Sequence, residues 1–219
     1  MKMLFVCMAM LALAGSISAA LASPPPAYEG RRLYVSYCQL CHGPGGNGDG
    51  PLAQKLEITP ADLTTTLRSR SDTILKKIIT GEGRQTITGR TRHNLLSDAM
   101  PQWRDVFDDA QIDALIAYLR FLSTSKHPLM EDPEVGYRLY QQYCTVCHGE
   151  EGEGDGVMTT LMKIEPTDHS SPTAMSLLSN DDMLEAIRGG RGDFMPAWEG
   201  ILSRAEIEAL VSYIRLLSN

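Results

Sequence analysis

Five residues, Cys38-Gln39-Leu40-Cys41-His42, return 106 positions later as Cys144-Thr145-Val146-Cys147-His148, and the surrounding sequence returns with them. Upstream, Gly30, Arg32, Leu33, Tyr34 and Tyr37 pair with Gly136, Arg138, Leu139, Tyr140 and Tyr143. Downstream, Gly43, Gly46, Gly48, Asp49 and Gly50 pair with Gly149, Gly152, Gly154, Asp155 and Gly156, and Pro60 and Asp62 with Pro166 and Asp168. The second copy then gains three residues, so that Asp72, Leu75, Ile78 and Gly81 meet Asp181, Leu184, Ile187 and Gly190. A period this long exceeds any solenoid unit and matches a whole small domain. The chain must therefore fold as two copies of one domain.

Local signals make both copies helical. Ile112, Leu115, Ile116, Leu119 and Leu122 fall at helical intervals, as do Ile207, Leu210, Val211 and Ile214. Ser203 with Glu206, and more weakly Asp108 with Gln111, have capping-box spacing ahead of those runs. Further helices are expected from Asp72 to Gly81 and from about Asp181 to Gly189, each closed by glycine. No alternating strand pattern appears, and the expected fold class is all-α. The boundaries read as 23–126 and 134–219, joined by a linker at 127–133 that carries Pro128 and Pro133.

Cys-x-x-Cys-His is the attachment signature of c-type haem. On a helix, positions i, i+3 and i+4 share one face, so two thiols can bond one porphyrin edge while the histidine reaches the iron. Cys38 and Cys41 would hold one haem c through thioethers, with His42 on its iron; Cys144, Cys147 and His148 would do the same for a second. Disulfides would suit an exported chain, but they leave the repeated histidine unexplained. A zinc site on four thiolates ignores both histidines, and a thioredoxin-type motif needs a βαβ setting that is lacking here. Aromatic residues are only 6% of the chain, as expected where porphyrin supplies core area.

Each iron needs a sixth ligand or stays open for chemistry. Met/His ligation belongs to electron-transfer cytochromes c. Met100 and Met195 occupy equivalent positions, each followed by proline and, two residues later, by Trp103 or Trp198. His93, His127 and His169 compete for that role without repeat support; His169 replaces the apolar Leu63 of the first copy. The carbonyls of Pro60 and Pro166 are candidates to orient the ligand histidines through their other ring nitrogen. The glycine-rich loops lack the lysine and preceding strand of a phosphate cradle, and are read as wrapping the porphyrin edge. The carboxylates of Glu150, Glu151, Glu153 and Asp155 are read as a solvated acidic loop rather than a calcium site.

Residues 1–22 read as an export signal: Lys2, an apolar run from Met3 to Leu13, and Ala20-Leu21-Ala22 before Ser23. Cys7 would leave with it. The rival reading is an uncleaved anchor, since Met3 to Ala22 carries no charge and is just long enough to cross a bilayer.

The paired Cys-x-x-Cys-His-Gly, the Met-Pro loops and the closing Ala114 to Tyr118 and Ala209 to Tyr213 segments together resemble tandem-domain class I cytochromes c, in particular the di-haem cytochrome c4-like group. The Gly-Asp-Gly stretch and following Pro-x-Asp are equally similar to cytochromes fused to oxidases and dehydrogenases. The resemblance implies two haem lobes packed about a pseudo-twofold axis. It also implies a soluble periplasmic electron carrier between redox protein partners, with neither nucleic acid nor stable membrane insertion involved. The alternative it leaves open is a cytochrome subunit, or a catalytic haem protein, of a periplasmic oxidoreductase.

Charge separates the copies. Residues 27–128 hold 13 Lys/Arg and 11 Asp/Glu, whereas residues 129–219 hold 6 and 16. Arg84, Arg90 and Arg92 cluster in a stretch of the first copy that the second lacks. Such a dipole would steer two different partners to the two haems.

Overall fold

The computed structural model describes residues 25–82 and 99–219. The first copy comprises α1 (Pro26–Leu33), a π-helical turn (Tyr34–Cys38), α2 (Gln39–His42), α3 (Pro51–Lys55), α4 (Leu63–Thr66), α5 (Asp72–Thr80) and α6 (Asp109–Thr124). The second comprises α7 (Pro133–Tyr143), α8 (Thr145–His148), α9 (Val157–Met162), α10 (Pro172–Ser176), α11 (Asn180–Gly189) and α12 (Arg204–Leu217). Among the described residues the only β-pairings are isolated bridges, Arg191 with Met195 and Glu199 with Leu202. The architecture is all-α, as expected. The 1–22 segment and the stretch with Arg84, Arg90, Arg92 and His93 lie outside the described residues.

The helix ends follow from local chemistry. Asp108 accepts from the Gln111 amide at 2.8 Å while the Gln111 side chain accepts from the Asp108 amide at 3.0 Å. Ser203 and Glu206 close the same reciprocal box on α12. These caps satisfy amides that the first helical turn would otherwise leave orphaned. Helix α5 stops at Gly81, whose φ of 82° is costly for any residue with a Cβ.

Each core is a crossing of the first and last helices, α1 on α6 and α7 on α12. The crossings are close because Gly30 and Gly136 sit in them: a Cβ at Gly30 would strike the Ala114 carbonyl, and one at Gly136 the Ala209 carbonyl. Ile112, Leu115, Ile116 and Leu119 are buried on α6, and Ile207, Leu210, Val211 and Ile214 on α12. Each such side chain contributes roughly 1.5–3 kcal/mol of transfer free energy.

The register of the middle helices differs from the sequence alignment. Arg120 donates to the carbonyls of Leu67 and Arg70 and to Asp72. Arg215 donates to the carbonyls of Met175 and Leu178 and to Asn180. Leu67 therefore matches Met175, Asp72 matches Asn180, and the capping serines Ser71 and Ser179 match each other. The second copy gains two residues before this helix and a third at its end, where α11 runs 10 residues against 9 in α5. Matching Asp72 to Asp181 followed acidic identity; the arginine forks fix the true pairing.

The segment between the copies is tied to the second. The amides of Met130 and Glu131 donate to Ser212 Oγ at 2.8 and 3.1 Å, and Asn180 donates to the Pro128 carbonyl at 3.1 Å. Across the copies, the Tyr28 hydroxyl donates to the Glu134 carboxylate. The Tyr28 ring lies 5.1 Å from that of Tyr137 and 5.5 Å from that of Tyr213. Arg31 pairs with Asp132 at 3.2 Å. Tyr28 and Glu134 are equivalent repeat positions, and equivalent positions touch only near the axis that relates the copies.

Candidate haem sites

Cys38 and Cys144 occupy the same kink, with φ near −110° (−111° and −107°) and ψ of −33° in both. In the first copy a π turn leads into it, in the second a regular helix. From the kink one short helix carries the rest of each motif. The Cys147 and His148 amides both donate back to the Cys144 carbonyl, at 3.2 and 2.9 Å. That turn places both thiols and the imidazole on one helical face. All four cysteines are partly buried and free of disulfides.

His42 Nδ1 lies 3.3 Å from the Ala61 carbonyl, and His148 Nδ1 lies 3.2 Å from the Thr167 carbonyl. The orienting acceptor is thus the residue after each proline, not Pro60 or Pro166 as the sequence led us to expect. The proline carbonyls have another use. They press on Gly48 and Gly154, where a Cβ would come within 2.6 and 2.8 Å of them and φ is +81° and +77°. Each glycine loop thereby packs against the strap that orients the histidine.

The electrostatics suit iron. Burial holds His42 and His148 below the usual imidazole range, against a smaller opposing pull from the Ala61 and Thr167 carbonyls. With Nδ1 donating to a carbonyl, a neutral ring keeps the Nε2 lone pair available for a metal. Burial, then the neighbouring thiol, pushes Cys38 and Cys144 up to about 12. The donor set is therefore a neutral imidazole beside two thiols, the first of each pair held protonated by burial, which fits covalently attached haem. No group of three or more His, Cys, Asp or Glu among the described residues could hold a metal ion.

The methionine loops are hung on the middle helices. The Trp103 amide donates to the Ile79 carbonyl at 3.0 Å and the Trp198 amide to that of Ile187 at 3.1 Å. Met195 is further fixed by a two-way backbone pair with Arg191, at 3.1 and 3.3 Å. Met100 and Met195 are both partly buried, and Met195 packs against the core. Trp103 stands edge-on to Tyr37 with centroids at 5.6 Å, and Trp198 is tilted against Tyr143 at 5.1 Å. The tyrosine just before each motif thus braces the tryptophan just after each methionine.

One residue of this neighbourhood, weighed from sequence only as a rival sixth ligand, instead packs on the ligand histidine. His169 stacks on His148, with ring centroids 4.3 Å apart and planes 14° from parallel. Its Nδ1 lies 3.1 Å from the Tyr140 hydroxyl. Burial, then proximity to His148, holds it well below the usual imidazole range, so the ring is neutral. His127, the other rival, lies in the linker, where Ser125 Oγ donates to its carbonyl.

A doubled helical domain, each copy presenting this attachment turn, defines a tandem c-type cytochrome with two haem c groups. The comparisons agree. The family model described as cytochrome c oxidase, cbb3-type, subunit III matches residues 25–119 and again 131–214, and the chain belongs to that family. A cbb3-type cytochrome c oxidase subunit FixP from Azorhizobium caulinodans is 28% identical over 205 residues, covering 86% of this chain and 59% of the relative. A subunit CcoP of the same oxidase type from Azospirillum brasilense is 28% identical over 198 residues, covering 86% and 61%. The chain thus spans about three-fifths of the length of these relatives. Among solved structures, the Kuenenia stuttgartiensis reducing HAO-like protein complex Kustc0457/Kustc0458 matches over 87% of this chain at 22% identity, with a TM-score of 0.36 that carries no structural argument. The family model and the two oxidase subunits support a tandem class I cytochrome of the oxidase-subunit family and give no support to the c4-like group in particular.

Proposed function

We propose that this di-haem cytochrome relays electrons between redox protein partners on the periplasmic side of a membrane. Cys38, Cys41, Cys144 and Cys147 are its attachment residues, and His42 with Met100 and His148 with Met195 its axial pairs. The observation that carries the reading is the duplicated turn in which a histidine, oriented by a backbone carbonyl through Nδ1, shares a helical face with two free thiols. When bound, haem c supplies one-electron chemistry at iron. The protein's part is to fix the imidazole plane and to hold the methionine loop on the middle helix.

The family match favours a finer reading over that of a free shuttle: the chain serves a cbb3-type oxidase as a cytochrome component. Among the described residues no helix is long and apolar enough to cross a membrane. Haem quantification and optical spectroscopy test the first proposal. Two covalent haems, both low-spin with a methionine-to-iron charge-transfer band, support it; a high-spin iron that binds carbon monoxide refutes it. Met100→His and Met195→His should each lower one potential and leave the other nearly unmoved, because imidazole stabilises the ferric state more than a thioether does. Membrane fractionation with oxidase assays separates the oxidase component from the shuttle.

A further inference from the structure

We propose that His169 is a positioning residue for the second haem alone, fixing the plane of the His148 ring by stacking on it and so setting the two irons at different potentials. The inference rests on the axial role of His148 argued above. It starts from a substitution between otherwise matched positions. Leu63 and His169 occupy the same place: the amide of each donates to the equivalent glycine carbonyl, Gly46 or Gly152, at 2.7 Å. Each also directly follows the aspartate, Asp62 or Asp168, whose carboxylate caps the next turn. The backbone is common to both copies; only the side chain differs.

What the histidine does follows from its two contacts. Its ring lies nearly parallel to that of His148 at 4.3 Å, so rotation of the His148 ring would have to displace a second ring. His169 cannot swing away freely, because Nδ1 is engaged by Tyr140, one of the most deeply buried side chains. In the first copy the equivalent Tyr34 hydroxyl donates instead to the Gly43 carbonyl. Tyr140 has thus been redirected from the glycine loop to His169. The second ligand histidine is held by a carbonyl at Nδ1 and by an aromatic plane on its face. The first has the carbonyl, with leucine at the position equivalent to His169.

A polarisable, dipolar ring against the axial ligand stabilises the more positive ferric state better than an alkyl group does. The second iron should therefore be the harder of the two to reduce on this account. His169→Leu installs the residue that the fold already accepts in the first copy, so the variant keeps a tested backbone.

The experiment is potentiometric titration of the two-haem protein, with proton NMR of the oxidised form. The NMR hyperfine pattern of the haem methyls reports the axial histidine's plane. His169→Leu should shift the reduced-to-oxidised ratio of the second haem toward reduced by about threefold to tenfold at fixed ambient potential. Its hyperfine pattern should change and the first haem stay as it was. His169→Phe, which keeps a ring without Nδ1, should preserve the hyperfine pattern better than leucine does. An unchanged second haem in His169→Leu overturns the proposal, as does an equal shift of both haems or a pattern altered alike by leucine and phenylalanine. A protein that fails to carry two low-spin haems would instead refute the reading on which the proposal rests.

Discussion

The two copies share a scaffold nearly residue for residue and differ in what supports it. In the first, the arginine that ties the last helix to the middle loops is partly exposed and pairs with a carboxylate, Arg120 with Asp72 at 2.6 Å. In the second, the equivalent Arg215 is 4% exposed and its third partner is the neutral Asn180. At the position after the capping aspartate the first has Leu63, and the second has His169 stacked on its ligand histidine. The loop after the motif reads Pro44, Gly45, Asn47 in one copy and Glu150, Glu151, Glu153 in the other. The cysteines, histidine and crossing glycine are unchanged, the Nδ1 contact is a backbone carbonyl in both copies, and the differences fall on the groups around them. A duplicated domain can thus keep its cofactor geometry while its two cofactors come to sit in unlike fields.

The largest effect expected from this comparison is at the arginines. Arg215→Ala leaves the Met175 and Leu178 carbonyls and the Asn180 side chain without their donor in a site that water cannot easily enter. A loss of about 3–5 kcal/mol follows from the cost of unsatisfied buried acceptors. Arg120→Ala should cost about 1–2 kcal/mol, because water can reach its partners. Denaturant unfolding of the haem-loaded protein, followed at each haem, reads both values. Equal losses would remove the asymmetry between the copies.

An intermediate effect is expected where the copies meet. Tyr28→Phe deletes the hydroxyl that donates to Glu134 and keeps the ring against Tyr137 and Tyr213. A hydrogen bond to a charged acceptor contributes about 1.5–3 kcal/mol. If the copies unfold as one unit, the variant should split that transition into two in calorimetry. A single, merely shifted transition would show that the tyrosine rings and the Arg31–Asp132 pair couple the copies without it.

Much of this comparison was legible in the sequence, because motifs and caps are local. The attachment turns, the Asp108 and Ser203 boxes and the amphipathic faces of α6 and α12 depend on residues within one or two helical turns. What escaped was set by contacts distant in sequence. The pairing of Ser71 with Ser179 is decided by arginines 48 and 35 residues beyond their side-chain partners Asp72 and Asn180. The orienting carbonyl lies 19 residues from each ligand histidine, and the proline beside it drew the expectation one residue early. His169 was visible as a rival sixth ligand and as a departure from Leu63, but not as a ring stacked on His148. Its position directly after the strap that holds His148 was the signal that could have marked it.

The smallest effect expected is at the caps of the middle helices, where the copies differ by one side chain. Ser71 accepts from the Ile74 amide at 3.4 Å, and its third helical residue, Ile74, has no polar group to return the bond. Ser179 accepts from the Asp182 amide at 3.1 Å, and Asp182 accepts from both the Ser179 amide and hydroxyl, at 2.9 and 2.6 Å. Ser179→Ala should therefore cost about 1 kcal/mol and Ser71→Ala about half that, measured by denaturant unfolding. The two caps should also part with pH. The Ser179 hydroxyl, then its amide, holds the Asp182 carboxyl below the usual carboxylate range. A carboxylate whose pKa is depressed by folding contributes stability that is complete above its unfolded pKa and is lost as pH falls through its folded one. Acidification through the carboxylate range should thus erase part of the difference between Ser179→Ala and wild type while leaving the Ser71→Ala difference in place. A Ser179→Ala penalty that stays constant down to the lowest pH at which the protein remains folded would show that the reciprocal bond from Asp182 adds nothing to the cap.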